Sequence, residues 1–148
     1  MADSVQRRVC SISRWAGSKT IDTIGAVFLL RNDGAALLQH RDDKPGLLHS
    51  GLWVPPGGHC QCGEDPAICA RRELGEETGY QCRRLFHLIS MDCEPPGWPL
   101  HQLVVFWGIY DGQQQVQCRE GQAIEFVERG LVVEHRMPQY LLDLWDKA

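Results

Sequence analysis

Glu73, Glu76 and Glu77 crowd into one short part of the stretch "GHCQCGEDPAICARRELGEETGY" at positions 58–80. On a helix they are positions i, i+3 and i+4, so the three carboxylates project within about 100° of one another. Like charges at that spacing repel by about 0.2–0.5 kcal/mol per pair, which a solvated helix face tolerates. Their neighbours distinguish them from such a face. Gly57 and Gly58 stand before the helix and let backbone carbonyls approach a ligand closely, and Glu64 adds a further carboxylate near the helix start. Clustered hard oxygen donors suit Mg²⁺, which keeps several waters and is commonly shared between protein carboxylates and substrate phosphates. Such a cation would relieve the repulsion and present positive charge to a polyphosphate.

Several elements must hold these residues in place. Asp65 is a suitable N-cap, Pro66 a suitable first helical residue and Gly79 a stop, with Ala67, Ala70 and Leu74 forming an apolar stripe beside the carboxylates. Upstream, "IGAVFLL", the turn "RNDG" and "AALLQHR" predict a β-hairpin, and "GLWVPPGG" a short strand broken by proline and glycine. Downstream, "RLFHLISMD" and "HQLVVFWGIYDG" predict two strands separated by the rigid loop "CEPPGWP". Asp111-Gly112 predicts a second hairpin turn into "QQQVQCR", followed by a short strand "AIEFV" and, after Pro138, a terminal helix "QYLLDLW". The order is that of a mixed α/β domain. Residues 1–18 are polar and irregular and read as an N-terminal arm, leaving 19–148 as one domain.

The register of Gly58, Glu64, Arg72, Glu73, Leu74, Glu76, Glu77 and Gly79 resembles the Nudix box, with Tyr80 where that pattern has an aliphatic residue. Seven fixed identities match by chance with a probability on the order of 10⁻⁹ at one starting point. The resemblance implies an α/β/α sandwich with a mixed sheet and hydrolysis of a nucleoside diphosphate linked to some group X. It also implies Mg²⁺ as cofactor, with Mn²⁺ as a substitute. Carried over by position, Glu76 and Glu77 become metal ligands, with the Gly57 carbonyl as a further one. Glu73 becomes a ligand or general base, Arg72 orients a glutamate, and Gly58 lies against the substrate.

Beyond the box the chain looks most like the MutT branch, which removes pyrophosphate from nucleoside triphosphates. "LLQHR" then makes Arg41 a phosphate-binding residue, and "REGQAIEFV" makes Glu120 a second candidate base or water-mediated ligand. Phe126 stands where that branch has a tryptophan, and Gln139 where a base-reading asparagine would stand. Pro95 and Pro96 resemble instead a marker of ADP-ribose-cleaving members, so hydrolysis of ADP-ribose or a nucleoside-diphosphate sugar is the second reading, and a binding module without catalysis the third. Trp53, just before the glycines, is the aromatic expected to stack on a nucleobase.

Composition narrows the remaining classes. Nineteen acids against 15 bases give a net charge of -4, which argues against duplex nucleic acid as partner. A small nucleotide is the expected partner, with the chain a monomer or homodimer. No apolar run approaches the roughly 20 residues needed to span a bilayer, and the first residues lack a signal peptide's apolar centre, so a cytoplasmic protein is expected. The seven cysteines are an odd number without a CxxC pair, which points to reduced thiols. "HCQC" at 59–62 carries zinc-ligand types, but it fills the spacer of the box and no second Cys or His pair follows at a standard distance, so free loop thiols are expected there.

Overall fold

The computed structural model describes residues 21–148; the arm expected over 1–18 lies outside them. Strand β1 (Asp22–Leu30) is the centre of the sheet. It runs parallel to β6 (His101–Ile109) on one side, in unbroken register from Asp22↔His101 to Leu30↔Ile109. On its other side it is shared. Its first half pairs with the short β4 (Gly57–His59) and its last residue, Leu30, with Ala36 at the start of β2 (Ala36–His40). The sheet continues from β2 to β3 (Trp53–Val54) and to β7 (Ala123–Val127), and β5 (Phe86–Cys93) closes the far edge against β6.

The run "AVFLL" in β1 is apolar without alternation because both faces of the sheet are covered. Val27 and Leu29 face helix α1 (Pro66–Thr78) and pack with Leu37, Ala70, Leu74, Val104 and Phe106. Phe28 and Leu30 face helix α2 (Gln139–Lys147) and pack with Leu38, Val105, Leu141, Leu144 and Trp145. Trp145 also donates its indole N–H to the Gly34 carbonyl at 3.2 Å, tying α2 to the hairpin turn. A 3-10 helix (Arg129–Glu134) leads from β7 towards α2. The layering is the expected α/β/α sandwich around a mixed sheet.

The helix ends follow the local signals. The Asp65 carboxylate accepts from the amides of Ala67 (2.9 Å) and Ile68 (3.4 Å), and Gly79 closes α1 with φ 75° and an N–H donated to Gly75. One expectation fails: "QQQVQCR" forms no strand. Asp111-Gly112 does turn the chain, with Asp111 accepting from the amides of Gln113 and Gln114 at 2.9 and 3.0 Å. But β6 already has β1 on one edge and β5 on the other, so a hairpin partner has nowhere to pair. The segment crosses the end of α1 instead, Gln117 donating to the Thr78 carbonyl and Arg119 to that of Glu77, both at 2.9 Å.

Candidate active site

Helix α1 places the box residues on different sides of its axis. Ala70 and Leu74 are fully buried against the sheet, and Glu77, one turn beyond Leu74 on that stripe, is only 4% exposed. Glu73 is partly buried beside it, whereas the Glu76 side chain is 57% exposed. The three carboxylates are therefore not equivalent: two turn inward and one faces solvent.

The glycine strand is what allows the inward pair. A Cβ on Gly58 would lie 2.5 Å from the Glu73 carboxylate, and one on Gly57 2.5 Å from the Gly25 carbonyl. In the β1–β4 ladder Gly57 stands opposite Ala26, while the neighbouring Val27 N–H bonds to the Pro56 carbonyl. Antiparallel pairing alternates, so both backbone polar groups of Gly57 point away from β1. Its N–H donates to Glu77 at 3.1 Å.

Glu120 arrives from the loop before β7. The Gln39 side chain donates to its carbonyl at 3.1 Å, and Gln122 donates its amide to His40 (2.7 Å) and its side chain to the Arg41 carbonyl (2.8 Å). Gly121 makes the close pass possible: its φ is 81°, and a Cβ there would lie 2.5 Å from the His40 carbonyl. Gln39 is a site-building residue that the sequence reading passed over. Its signal was present, since it is the one polar residue in the apolar run "AALLQ" and is 3% exposed.

Electrostatics separate the glutamates further. Burial first, then a hydrogen bond with the Glu120 carboxyl and its charge, push the Glu77 carboxyl up to about 10. Burial also raises Glu73, against the opposing pull of Arg72. Glu64 moves the other way, to about 2, chiefly because Arg72 donates to both its oxygens at 2.9 Å. Arg72 also reaches Glu73 at 3.0 Å, Glu76 at 3.2 Å and the His59 carbonyl at 3.2 Å. It clamps Glu64, Glu73 and Glu76, and among the described residues none of its ion pairs is to Glu77.

The remaining expected residues divide. Arg41, at the end of β2, donates its amide to Leu52, and among the described residues its buried Nε has no hydrogen-bond partner. Trp53 stands across from His40, but its ring is already stacked on that imidazole (4.7 Å, 6° between planes) and meets His135 edge-on at 4.7 Å. Phe126 is not brought to the carboxylates. It pairs with Leu37 near the β1–β2 turn, packs on Tyr110 at 4.8 Å and lies under the Arg31 guanidinium at 5.3 Å. Among the cysteines of the described residues, Cys62 is disulfide-bonded, while Cys60, Cys69, Cys82, Cys93 and Cys118 are free. That departs from uniformly reduced thiols: an exposed loop sulfur can pair whatever the total count of cysteines.

The donor set fits a hard divalent cation. Glu77 accepts from the Gly57 amide, Glu73 lies against Gly58, and burial first, then the Glu120 carboxyl and the Glu73 charge, raise the Glu77 carboxyl.

Comparison with known proteins agrees with this geometry. A family model for the NUDIX domain matches residues 19–141. "Putative ADP-ribose pyrophosphatase YjhB" of Bacillus subtilis is 31% identical over 139 residues, covering 86% of this chain and 62% of its own length. An RNA pyrophosphohydrolase of Mesorhizobium japonicum is 33% identical over 98 residues, covering 60% of this chain and 53% of its own. This chain thus spans between about half and two thirds of either relative. The crystal structure of a MutT NUDIX hydrolase from Burkholderia pseudomallei superposes with a TM-score of 0.75 at 17% identity, covering 88% of this chain and 99% of that one, a likeness of fold. Among the described residues no helix is long and apolar enough to cross a membrane.

Proposed function

The chain belongs to the NUDIX domain family, and from that premise we propose that it hydrolyses a phosphoanhydride bond in a nucleoside diphosphate linked to a further group, with Mg²⁺ as cofactor. The seating of Glu73 and Glu77 against the Gly57-Gly58 strand, with Glu120 acting on Glu77, supports this reading. Those three, with Glu76 and the Gly57 carbonyl, would hold the cation. When bound, the cation neutralises phosphate oxygens and lowers the pKa of a coordinated water.

The chain's own groups supply the rest. Arg72 holds Glu73 at 3.0 Å while the missing side chain of Gly58 makes room for it, so the Glu73 carboxylate is placed to accept a proton from water. Glu120 is the second acceptor, on a loop pinned to β2 by Gln39 and Gln122. Arg41, with its unpartnered Nε, supplies a guanidinium for phosphate oxygens.

The triphosphate reading comes first, because Arg41 at the end of β2 suits a phosphate chain running past the carboxylates. The ADP-ribose reading is favoured by a different observation: the relative covering 86% of the chain bears that description. Phosphate or pyrophosphate release with Mg²⁺ and with EDTA, across nucleoside triphosphates, ADP-ribose, nucleoside-diphosphate sugars and dinucleoside polyphosphates, separates the two. Mg²⁺-dependent turnover of triphosphates supports the first reading and of ADP-ribose the second. No turnover on any of them overturns the proposal.

A further inference from the structure

The Sγ atoms of Cys60 and Cys69 and a carboxylate oxygen of Glu64 lie within 4.8 Å of one another. We propose that these three side chains form a binding site for a thiophilic divalent cation of the Zn²⁺ class, distinct from the Glu73–Glu77–Glu120 cluster. The loop sequence alone pointed away from zinc because no second Cys or His pair follows "HCQC". The fold supplies the missing ligand from elsewhere: Cys69 comes from the first turns of α1 and Cys60 from the residue after β4.

The spacing suits coordination. A tetrahedral cation with sulfur at about 2.3 Å and oxygen at about 2.1 Å sets its ligand atoms about 3.6–3.8 Å apart, so atoms within 4.8 Å need contract by about 1.2 Å at most. Two of the three are already held in place. Cys69 is fully buried and its thiol donates to the Gly58 carbonyl at 3.6 Å, and Glu64 accepts from Arg72 through both oxygens and from the Gln61 amide at 3.0 Å. Cys60 is half-buried and leaves a way in, with a solvent molecule as fourth ligand. Sulfur in the donor set selects a borderline-soft ion over Mg²⁺.

Charge also balances. On coordination the two thiols release two protons, and two thiolates with one carboxylate exceed the dication by one negative charge. Arg72, 2.9 Å from Glu64, offsets it. Because Arg72 also bridges Glu73 and Glu76, a cation that takes over one Glu64 oxygen loosens the clamp on those two acids and slows hydrolysis. That consequence rests on the proposed hydrolase reading; the binding itself does not.

The test uses Co²⁺ as a spectroscopic substitute for Zn²⁺, titrated into the full chain with the Cys62 disulfide intact, free of added reductant, in excess Mg²⁺. We expect a sulfur-to-metal charge-transfer band that saturates at one equivalent and is displaced by Zn²⁺. It should be lost in Cys60→Ser and in Cys69→Ser but kept in Cys62→Ser and Cys118→Ser. Cys60 lies in the loop, so its variant keeps the test valid even if Cys69→Ser fails to fold. A chain showing no such band, or one whose band survives both Cys60→Ser and Cys69→Ser, overturns the proposal. A Cys60-dependent band in a chain that hydrolyses nothing upholds the cation site and removes only the proposed effect on catalysis.

Discussion

The Gly57 amide, in β4, donates to the Glu77 carboxylate, on α1, at 3.1 Å. Glu77 is buried, with the Glu120 carboxyl and the Glu73 charge acting on it, so its neutral form is favoured where no cation stands beside it.

This has a pH consequence. The Glu77 pKa is about 4.5 when unfolded and is pushed up to about 10 when folded, so between those values the native state holds a proton that the unfolded chain gives up. Stability of the metal-free protein should therefore fall as pH rises from roughly 6 to roughly 9, and the rise in melting temperature on adding Mg²⁺ should grow over the same range. Thermal unfolding with and without Mg²⁺ measures both. Glu77→Gln removes the buried charge and should flatten the pH dependence of the metal-free protein while lowering kcat on the order of 10²–10³-fold. An equal Mg²⁺ shift at both ends of the range would take Glu77 out of the metal site.

Arg72→Lys tests the clamp. A lysine cannot present the planar fork that holds both Glu64 oxygens at 2.9 Å while also reaching Glu73. We expect kcat to drop by about 10–100-fold with a raised Mg²⁺ requirement and a nearly unchanged KM. A change confined to KM would place Arg72 on the substrate instead.

At Gly58 the smallest addition is enough. Alanine there sets a methyl group 2.5 Å from the Glu73 carboxylate, so either Glu73 or the strand must shift. Gly58→Ala should lose activity and about 1–3 kcal/mol of stability, read by steady-state kinetics beside chemical denaturation. Full activity would show that Glu73 need not stay where it is.

Arg41 separates the substrate readings. If its Nε–H, without a partner among the described residues, donates to a phosphate oxygen, Arg41→Gln should raise KM for triphosphates by about tenfold, the loss of one charge-assisted hydrogen bond, with a smaller effect on ADP-ribose. Equal effects on both substrates would remove the observation that ranks the triphosphate reading first.

Features that depend on neighbours in the chain were legible in the sequence. Asp65, Pro66 and Gly79 delimited α1 because capping is settled by the few residues around a helix end, and the box register pointed to the carboxylates and to Arg72 for the same reason. The unbroken apolar run of β1 was enough to predict a strand. Tertiary structure decided what depends on residues far along the chain. Glu77 turns inward and Glu76 outward because the sheet lies on one side of α1, a direction that spacing on an isolated helix leaves open. "QQQVQCR" reads as a hairpin strand locally, yet β1 and β5 had already taken both edges of β6. The same holds for Glu120, Gln39 and Cys69: each reaches its partner only when separate strands and α1 pack together, and no local pattern encodes that packing.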